Sequence, residues 1–265
     1  EGSGRTPKTY DVIINKRLYV SVDYNGVYVN NSNELRFERA LYKAGEKILL
    51  PAKEAKSLEK RQFGWSTVKT DEEPLYNIGG EITVTQAMVD AGTFDLYMIW
   101  SKYAIGDLLT NVTDINGKKQ TGYVAYIFVK NLSKNDFVKT SSSKPDKDWH
   151  YLVVSQYGAQ RLTNVTWQNA KTGLTNTYLP SKEEMEVIIE NLWNDAGTRQ
   201  WKVFSDGNST ESSWDYYWTA TSGYWDYSKA YYGSVTPNHN GSYAGIVDMK
   251  AKTEQLKAIG VSYIK

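Results

Sequence analysis

The chain of 265 residues contains no cysteine, only 2 histidines, and no apolar run long enough to cross a membrane. Without cysteine there is no disulfide, no cysteine nucleophile and no thiolate metal ligand. Lys and Arg number 31 and Asp and Glu number 30, so the formal net charge is only +1 and offers no basic field to attract nucleic acid. The sequence therefore predicts no transmembrane segment and no nucleic-acid partner.

Motifs that signal catalysis are also missing. The two histidines, His150 and His239, belong to no HExxH pattern, and the chain has no phosphate-binding Walker loop. The acidic stretch 206–211 lacks the twelve-residue spacing of a calcium-binding EF-hand loop. We therefore predict no enzyme activity, no catalytic residue, no metal site and no cofactor.

Tyrosine and tryptophan are abundant, with 21 Tyr and 9 Trp against 6 Phe. Rings that carry a polar group are typical of binding surfaces, because one end of the side chain is apolar and the other can hydrogen-bond. The first residue is Glu1 rather than Met, and residues 1–5 are polar and flexible in composition. This start is expected of a mature or trimmed chain whose targeting segment has been removed.

The first 130 residues are rich in strand signals. Asn116-Gly117 is a typical hairpin turn, because both residues tolerate positive φ. Apolar residues alternate or cluster in short runs at 10–14, 17–22, 26–29, 47–50, 94–100 and 123–129. The pattern predicts a β-sandwich over residues 1–140, by analogy a fimbrial or display module.

A linker and a second domain are predicted after this region. Residues 140–148 contain no apolar side chain and one proline, so they are expected to connect two separately folded domains, 1–140 and 146–265. The second domain is predicted to be α+β, with strands at 150–155 and 258–264 and one helix at about 182–195. Ser181 and Glu184 have the spacing of a capping box at the start of that helix.

Four segments carry a resemblance to a known family: TWQNA at 166–170, YLPSKEEM at 178–185, YWTATS at 217–222 and AYY at 230–232. Together they resemble the C-type-lectin-like domain of bacterial collagen-like adhesins, of the variable proteins of diversity-generating retroelements and of fimbrial tip adhesins. The resemblance implies that the first and last strands of the domain pair, and that a long loop region on the opposite side binds ligand. Many relatives have a cysteine near the closing strand, whereas this chain has Val261-Ser262-Tyr263.

The segment 214–243 has the strongest functional signal. Ten of its thirty residues are Trp or Tyr, and twelve more are Ser, Thr, Gly or Asn. Antibody loops use the same residues, because rigid rings give contact area and small polar groups give adaptable hydrogen bonds. The alternative is that alternate rings build a core, as we expect for Trp218 and Tyr232. A thin sheet cannot bury ten rings on one side, so the candidate ligand-binding residues are Trp214, Tyr216, Tyr224, Trp225, Tyr227, Asn238, His239 and Asn240.

The sequence thus predicts a secreted or cell-surface bacterial adhesin or receptor-binding protein that recognises a protein or glycan ligand on a cell or host surface. Two alternatives stay open. The aromatic face could pack against other subunits of a fimbria, or the domain could be a carbohydrate-binding accessory module. A neighbouring reverse transcriptase gene would favour a diversified binding protein, and neighbouring fimbrial assembly genes would favour the subunit.

Overall fold

The computed structural model describes residues 17–25, 40–52, 60–129, 150–156, 160–193, 215–235 and 246–265. The fold is mainly β, as predicted, with 49% of the described residues in strands and 14% in helices. None of the helices in these ranges has both the length and the apolar character needed to cross a bilayer. Contacts divide the chain into two compact units, one made of residues 1–53 and 64–99 and the other of residues 54–63 and 100–265.

The first unit is built on a five-stranded mixed sheet. Its elements are β1 (Val20–Asn25), β2 (Ala40–Tyr42), β3 (Lys47–Leu49), β4 (Gln62–Ser66), β5 (Tyr76–Asn77), β6 (Glu81–Thr83), α1 (Gln86–Ala91) and β7 (Thr93–Trp100). The sheet has the order β2-β1-β7-β4-β5, and β3 pairs separately with β6. Trp65 is fully buried and meets the Tyr24 ring edge-on at 5.4 Å. The predicted strands at 10–14 and 26–29 lie outside the described residues.

The second unit contains two sheets and two helices. Its elements are β8 (Leu108–Thr113), β9 (Lys119–Ile127), β10 (Tyr151–Ser155), β11 (Arg161–Val165), α2 (Trp167–Gly173), α3 (Lys182–Trp193), β12 (Asp215–Ser222), β13 (Lys229–Val235), β14 (Ile246–Ala251), β15 (Leu256–Ile259) and β16 (Val261–Ile264). The four-stranded sheet has the order β16-β10-β9-β8, and the five-stranded sheet has the order β11-β15-β12-β13-β14.

The hairpin predicted at Asn116-Gly117 is confirmed, since it joins the antiparallel strands β8 and β9. Gly117 has φ of 79°, a left-handed conformation that glycine adopts without strain. The buried Asp114 carboxylate accepts hydrogen bonds from the backbone N–H groups of Asn116 and Lys118, at 2.8 and 2.9 Å. The sequence therefore determines this turn locally.

The predicted domain division is different from the observed one. Strand β9, from the predicted first domain, pairs with β10, from the predicted second domain, and β10 pairs in turn with β16. The β-sandwich over residues 1–140 is therefore not confirmed, because its last two strands belong to a sheet of the second unit. The predicted linker at 140–148 lies outside the described residues. Strand pairing across a long sequence separation is not encoded in local composition, so composition does not reveal that β9 and β10 share a sheet.

Helix α3 begins as predicted. The Glu184 N–H donates to Ser181 Oγ at 3.2 Å, and the Ser181 N–H donates to the Glu184 carboxylate at 2.7 Å, which completes the capping box. Met185, Ile188, Ile189 and Leu192 are buried as predicted. They share one hydrophobic core with residues of both sheets, including Ala125, Leu152, Tyr217, Val235 and Tyr263.

The five-stranded sheet is covered on both faces. On the α3 face, a Cβ on Gly233 would lie 2.6 Å from the Met185 side chain, so glycine allows the helix to approach β13 closely. The opposite face is covered by α2, in a second core that includes Trp167, Ala170, Trp218 and Ala230. Buried side chains on both sides of one sheet explain the run of large residues in β12.

The last predicted strand is two strands. Residues 256–259 belong to the five-stranded sheet and residues 261–264 to the four-stranded sheet, so the chain changes sheets at Gly260. A Cβ on Gly260 would lie 2.0 Å from Thr177 Oγ1, which leaves no space for a side chain there. The predicted pairing of the terminal strands is observed, because β10 and β16 are antiparallel neighbours.

Candidate ligand-binding surface

The candidate surface begins at an irregularity in β12. The register between β12 and β13 shifts between Trp218 and Ser222, so residues 219–221 form a bulge. A bulge frees backbone groups from the ladder. Two of the freed groups bond to other segments: the Thr219 carbonyl accepts from Trp167 Nε1 at 2.8 Å, and the Ala220 N–H donates to the Pro180 carbonyl at 2.7 Å. A side chain of the bulge also takes part, since Thr221 Oγ1 accepts from the Lys182 N–H at 2.9 Å.

These hydrogen bonds join three segments that carry the sequence resemblance, at 166–170, 178–185 and 217–222. Trp218 Nε1 also donates to the Val165 carbonyl at 2.9 Å. The segments therefore hold the two helices against β12. The groups that make these hydrogen bonds are engaged in the scaffold, so the exposed groups that follow β12 are the candidates for binding.

The chain leaves β12 through a tight turn at residues 223–228, which we call the aromatic turn. The side chains of Tyr224, Trp225 and Tyr227 are 69%, 88% and 76% exposed. The Tyr224 and Trp225 rings are nearly perpendicular, at 87°, with centroids 4.6 Å apart. Their exposure agrees with the sequence prediction.

The backbone of the aromatic turn is well defined by hydrogen bonds. The Gly223 N–H donates to the Lys229 carbonyl at 2.9 Å, and the Lys229 N–H donates to the Asp226 carbonyl at 3.0 Å. The Asp226 carboxylate accepts from the side chain and backbone of Ser228, and these bonds, aided by Lys229, lower the pKa of Asp226 below its usual value. Asp226 is therefore ionised at neutral pH.

Lys252, after β14, anchors the aromatic turn to the sheet. Its Nζ donates to the Tyr227 carbonyl at 2.7 Å and to Ser222 Oγ at 2.8 Å. The same Nζ lies 4.2 Å from the centre of the Trp167 ring, and the Nζ of Lys171 lies 4.5 Å from that centre. Two ammonium groups therefore lie on one indole ring beside the exposed rings.

Sequence reasoning missed both lysines. Lys171 follows Trp167 by four residues on α2, a spacing that places two helical side chains together, so this pair was visible in the sequence. Lys252 is 25 residues from Tyr227, and no local pattern indicates that contact.

Tyr216 does not belong to the same patch as the aromatic turn. It lies near the start of β12, six residues before Ser222, which corresponds to roughly 20 Å along a strand. Its half-buried ring packs edge-on against Tyr232 at 5.4 Å, and Lys250 Nζ lies 4.5 Å from its centre. Trp218 is fully buried as predicted, whereas Tyr232 is only half-buried.

The remaining candidates, Trp214, Asn238, His239 and Asn240, lie outside the described residues. Within the part of the chain that the structure describes, no group of three or more His, Asp or Glu side chains is arranged to hold a metal ion.

Comparison with known proteins gave no match to a family model, to a curated protein or to a solved structure. The C-type-lectin-like resemblance of residues 146–265 therefore stays a prediction.

Proposed function

We propose that this chain is a secreted or cell-surface bacterial adhesin or receptor-binding protein that recognises a protein or glycan through the aromatic turn. It acts by non-covalent binding and not as an enzyme. The C-type-lectin-like domain is part of this proposal, and two findings are compatible with it: the pairing of β10 with β16, and the hydrogen bonds that join the motif segments.

The observation that carries the proposal is the exposure of Tyr224, Trp225 and Tyr227 on a turn whose backbone is hydrogen-bonded. Three adjacent exposed rings have no role in burying a core. A defined backbone lowers the entropy lost on binding, and Tyr and Trp are the residues that most often dominate the energy of an interface.

Two alternatives use the same rings. In a fimbrial subunit the rings would be buried against a neighbouring copy, and in an accessory module they would contact a polysaccharide. The three functions differ only in what covers the rings, so one set of ring variants tests all of them.

The test is a replacement of Tyr224, Trp225 and Tyr227 by Ala. We expect the variant to lose binding to the glycans and surface proteins that the unchanged protein retains in a screen, with an unchanged circular dichroism spectrum. A matched control replaces three exposed leucines of the first unit, Leu41, Leu49 and Leu75, by Ala, and this control retains binding.

Three results would contradict the proposal or redirect it. Unfolding of the ring variant would mean that the rings stabilise the fold. Unchanged binding would place the ligand site elsewhere. The fimbrial subunit would be favoured if sedimentation velocity shows that the unchanged protein and the leucine control assemble as their concentration rises, whereas the ring variant does not.

A further inference from the structure

Among the described residues, the lysines beside the aromatic turn have no acidic partner. Neither Lys171 nor Lys252 forms an ion pair within the part of the chain that the structure describes, although several other lysines there do, for example Lys229 with Asp226 at 3.3 Å and Lys250 with Glu254 at 3.2 Å. Both unpaired ammonium groups contact the Trp167 ring. Two positive charges without an ion-pair partner among the described residues therefore share the Trp167 ring, and one of them, Lys252, is bonded to the aromatic turn.

We infer that the ligand of the aromatic turn is an acidic glycan, whose carboxylate or sulfate group binds at Lys171 and Lys252 while a sugar ring packs on Trp225 or a neighbouring ring. The inference rests on the proposed function and adds the chemical class of the ligand. A charge-assisted hydrogen bond to an ammonium group is stronger than a neutral one, so the anion contributes both affinity and selectivity.

The two lysines have different tasks. Lys252 uses two of its three N–H donors on Ser222 and Tyr227, so it holds the turn in place and attracts an anion mainly by its charge. Lys171 is exposed on α2, and its contact among the described residues is with the Trp167 ring, which leaves its N–H donors available. Lys171 is therefore the residue that binds the anion directly.

A lipid membrane fits this surface less well than a glycan. Exposed rings above basic residues are also found at membrane interfaces. However, Asp226 lies between Trp225 and Tyr227 and is ionised, because hydrogen bonds from Ser228 lower its pKa. Inserting a charged carboxylate into a bilayer together with the rings is unfavourable, whereas a glycan bound at the surface leaves Asp226 in water.

An acidic peptide also fits less well. Apart from Gly223, each side chain from Thr221 to Ser228 carries a hydrogen-bonding group, and none is aliphatic. A surface that combines ring faces with many hydrogen-bonding groups matches a ligand that has both C–H faces and hydroxyl groups. Carbohydrates have this character throughout, whereas peptides have it only in part.

The test measures binding to an immobilised array of neutral, sialylated, uronic-acid and sulfated glycans, with poly-glutamate and phosphatidylserine vesicles as further probes. We expect binding only to acidic glycans, with an affinity that falls when NaCl rises from about 0.1 M to about 1 M, because the Debye length shrinks from about 10 Å to about 3 Å.

Lys171→Met decides the inference. We expect it to weaken binding to the acidic glycans about tenfold or more, and Lys171→Arg to restore most of it. The matched control is Lys182→Met, because Lys182 also lies over a ring, that of Tyr231 at 4.9 Å, but on another helix. Lys182→Met leaves binding unchanged.

Several outcomes would overturn the inference. These are equal binding to neutral glycans, binding only to poly-glutamate or only to vesicles, no binding to any probe, and full binding by Lys171→Met. If the ring replacement abolishes binding while Lys171→Met does not, the proposed function stands and the acidic ligand is wrong.

Discussion

Strand β12 and the aromatic turn that follows it each contain three Tyr or Trp rings, and most of these rings are buried in β12 but exposed in the turn. Tyr217 and Trp218 in β12 are 1% and 0% exposed, whereas the rings of the turn are almost entirely exposed. The two regions are contiguous, because the turn begins at Gly223 and β12 ends at Ser222. In β12, α3 covers one face and α2 covers the other, but no helix of the described residues covers the turn.

The difference shows that ring composition alone does not reveal exposure. A ring is buried here when a strand places it under a helix, and exposed when it follows the end of the strand. Composition identified the segment 214–243 as unusual, but only the elements packed on β12 separate its scaffold rings from its surface rings.

The test with the largest expected effect replaces one tryptophan from each region. Trp218→Ala removes a fully buried ring and is expected to lower the free energy of unfolding by about 3–5 kcal/mol. Trp225→Ala removes an exposed ring and is expected to change it by about 0.5 kcal/mol or less. Urea denaturation of both variants measures the difference. Equal losses would mean that the turn is part of a core.

A second test uses a tyrosine that shares the α3 core with Tyr217. Burial, and then the Glu184 carboxylate that accepts its hydroxyl, raise the pKa of Tyr263 far above 10. Below pH 10 this tyrosine is neutral in both the folded and the unfolded chain, so its full contribution to the free energy of unfolding is present. Above pH 10 it ionises only in the unfolded chain, and the free energy of unfolding falls by about 1.4 kcal/mol per pH unit.

The measurement is urea denaturation between pH 9 and pH 11. Other buried tyrosines, such as Tyr123, also have a raised pKa, so the decline is shared among several groups. Tyr263→Phe is expected to make the free energy of unfolding fall less steeply with pH above pH 10, because one of the titrating tyrosines is removed. Parallel curves for the variant and the unchanged protein would contradict the burial of this hydroxyl.

The test with the smallest expected effect concerns α3, the helix that covers one face of β12. Ser181→Ala removes the side-chain acceptor for the Glu184 N–H and is expected to lower the free energy of unfolding by about 0.5–2 kcal/mol. Binding at low temperature is expected to survive, because the aromatic turn has its own hydrogen bonds. An unchanged thermal midpoint would show that the cap contributes nothing.

Features with local causes were predicted well. The capping box of Ser181 and Glu184 and the apolar spacing along residues 185–192 gave helix α3, and Asn116-Gly117 gave a hairpin. The absence of aliphatic residues after Gly223 indicated that the turn is exposed. Each of these signals lies within a few residues of the structure that it determines.

Features that depend on distant pairing were not predicted. The partnership of β9 with β10 gave a division of the chain that composition does not reveal, and the change of sheet at Gly260 split one expected strand into two. Lys252 reaches Tyr227 only because β14 is a neighbour of β13 in the sheet. The binding role of the candidate residues stays a prediction.

The adjacent strands β10 and β16 have a practical consequence for engineering. Their backbones are joined by the His150 N–H to the Ile264 carbonyl at 2.9 Å and by the ladder beyond it. The chain between them therefore begins and ends at this pair of strands. A graft cut at this strand pair would leave out β9, whose Ala125 packs in the α3 core, so a segment that carries the helices and the aromatic turn into another protein must begin at the β8–β9 hairpin.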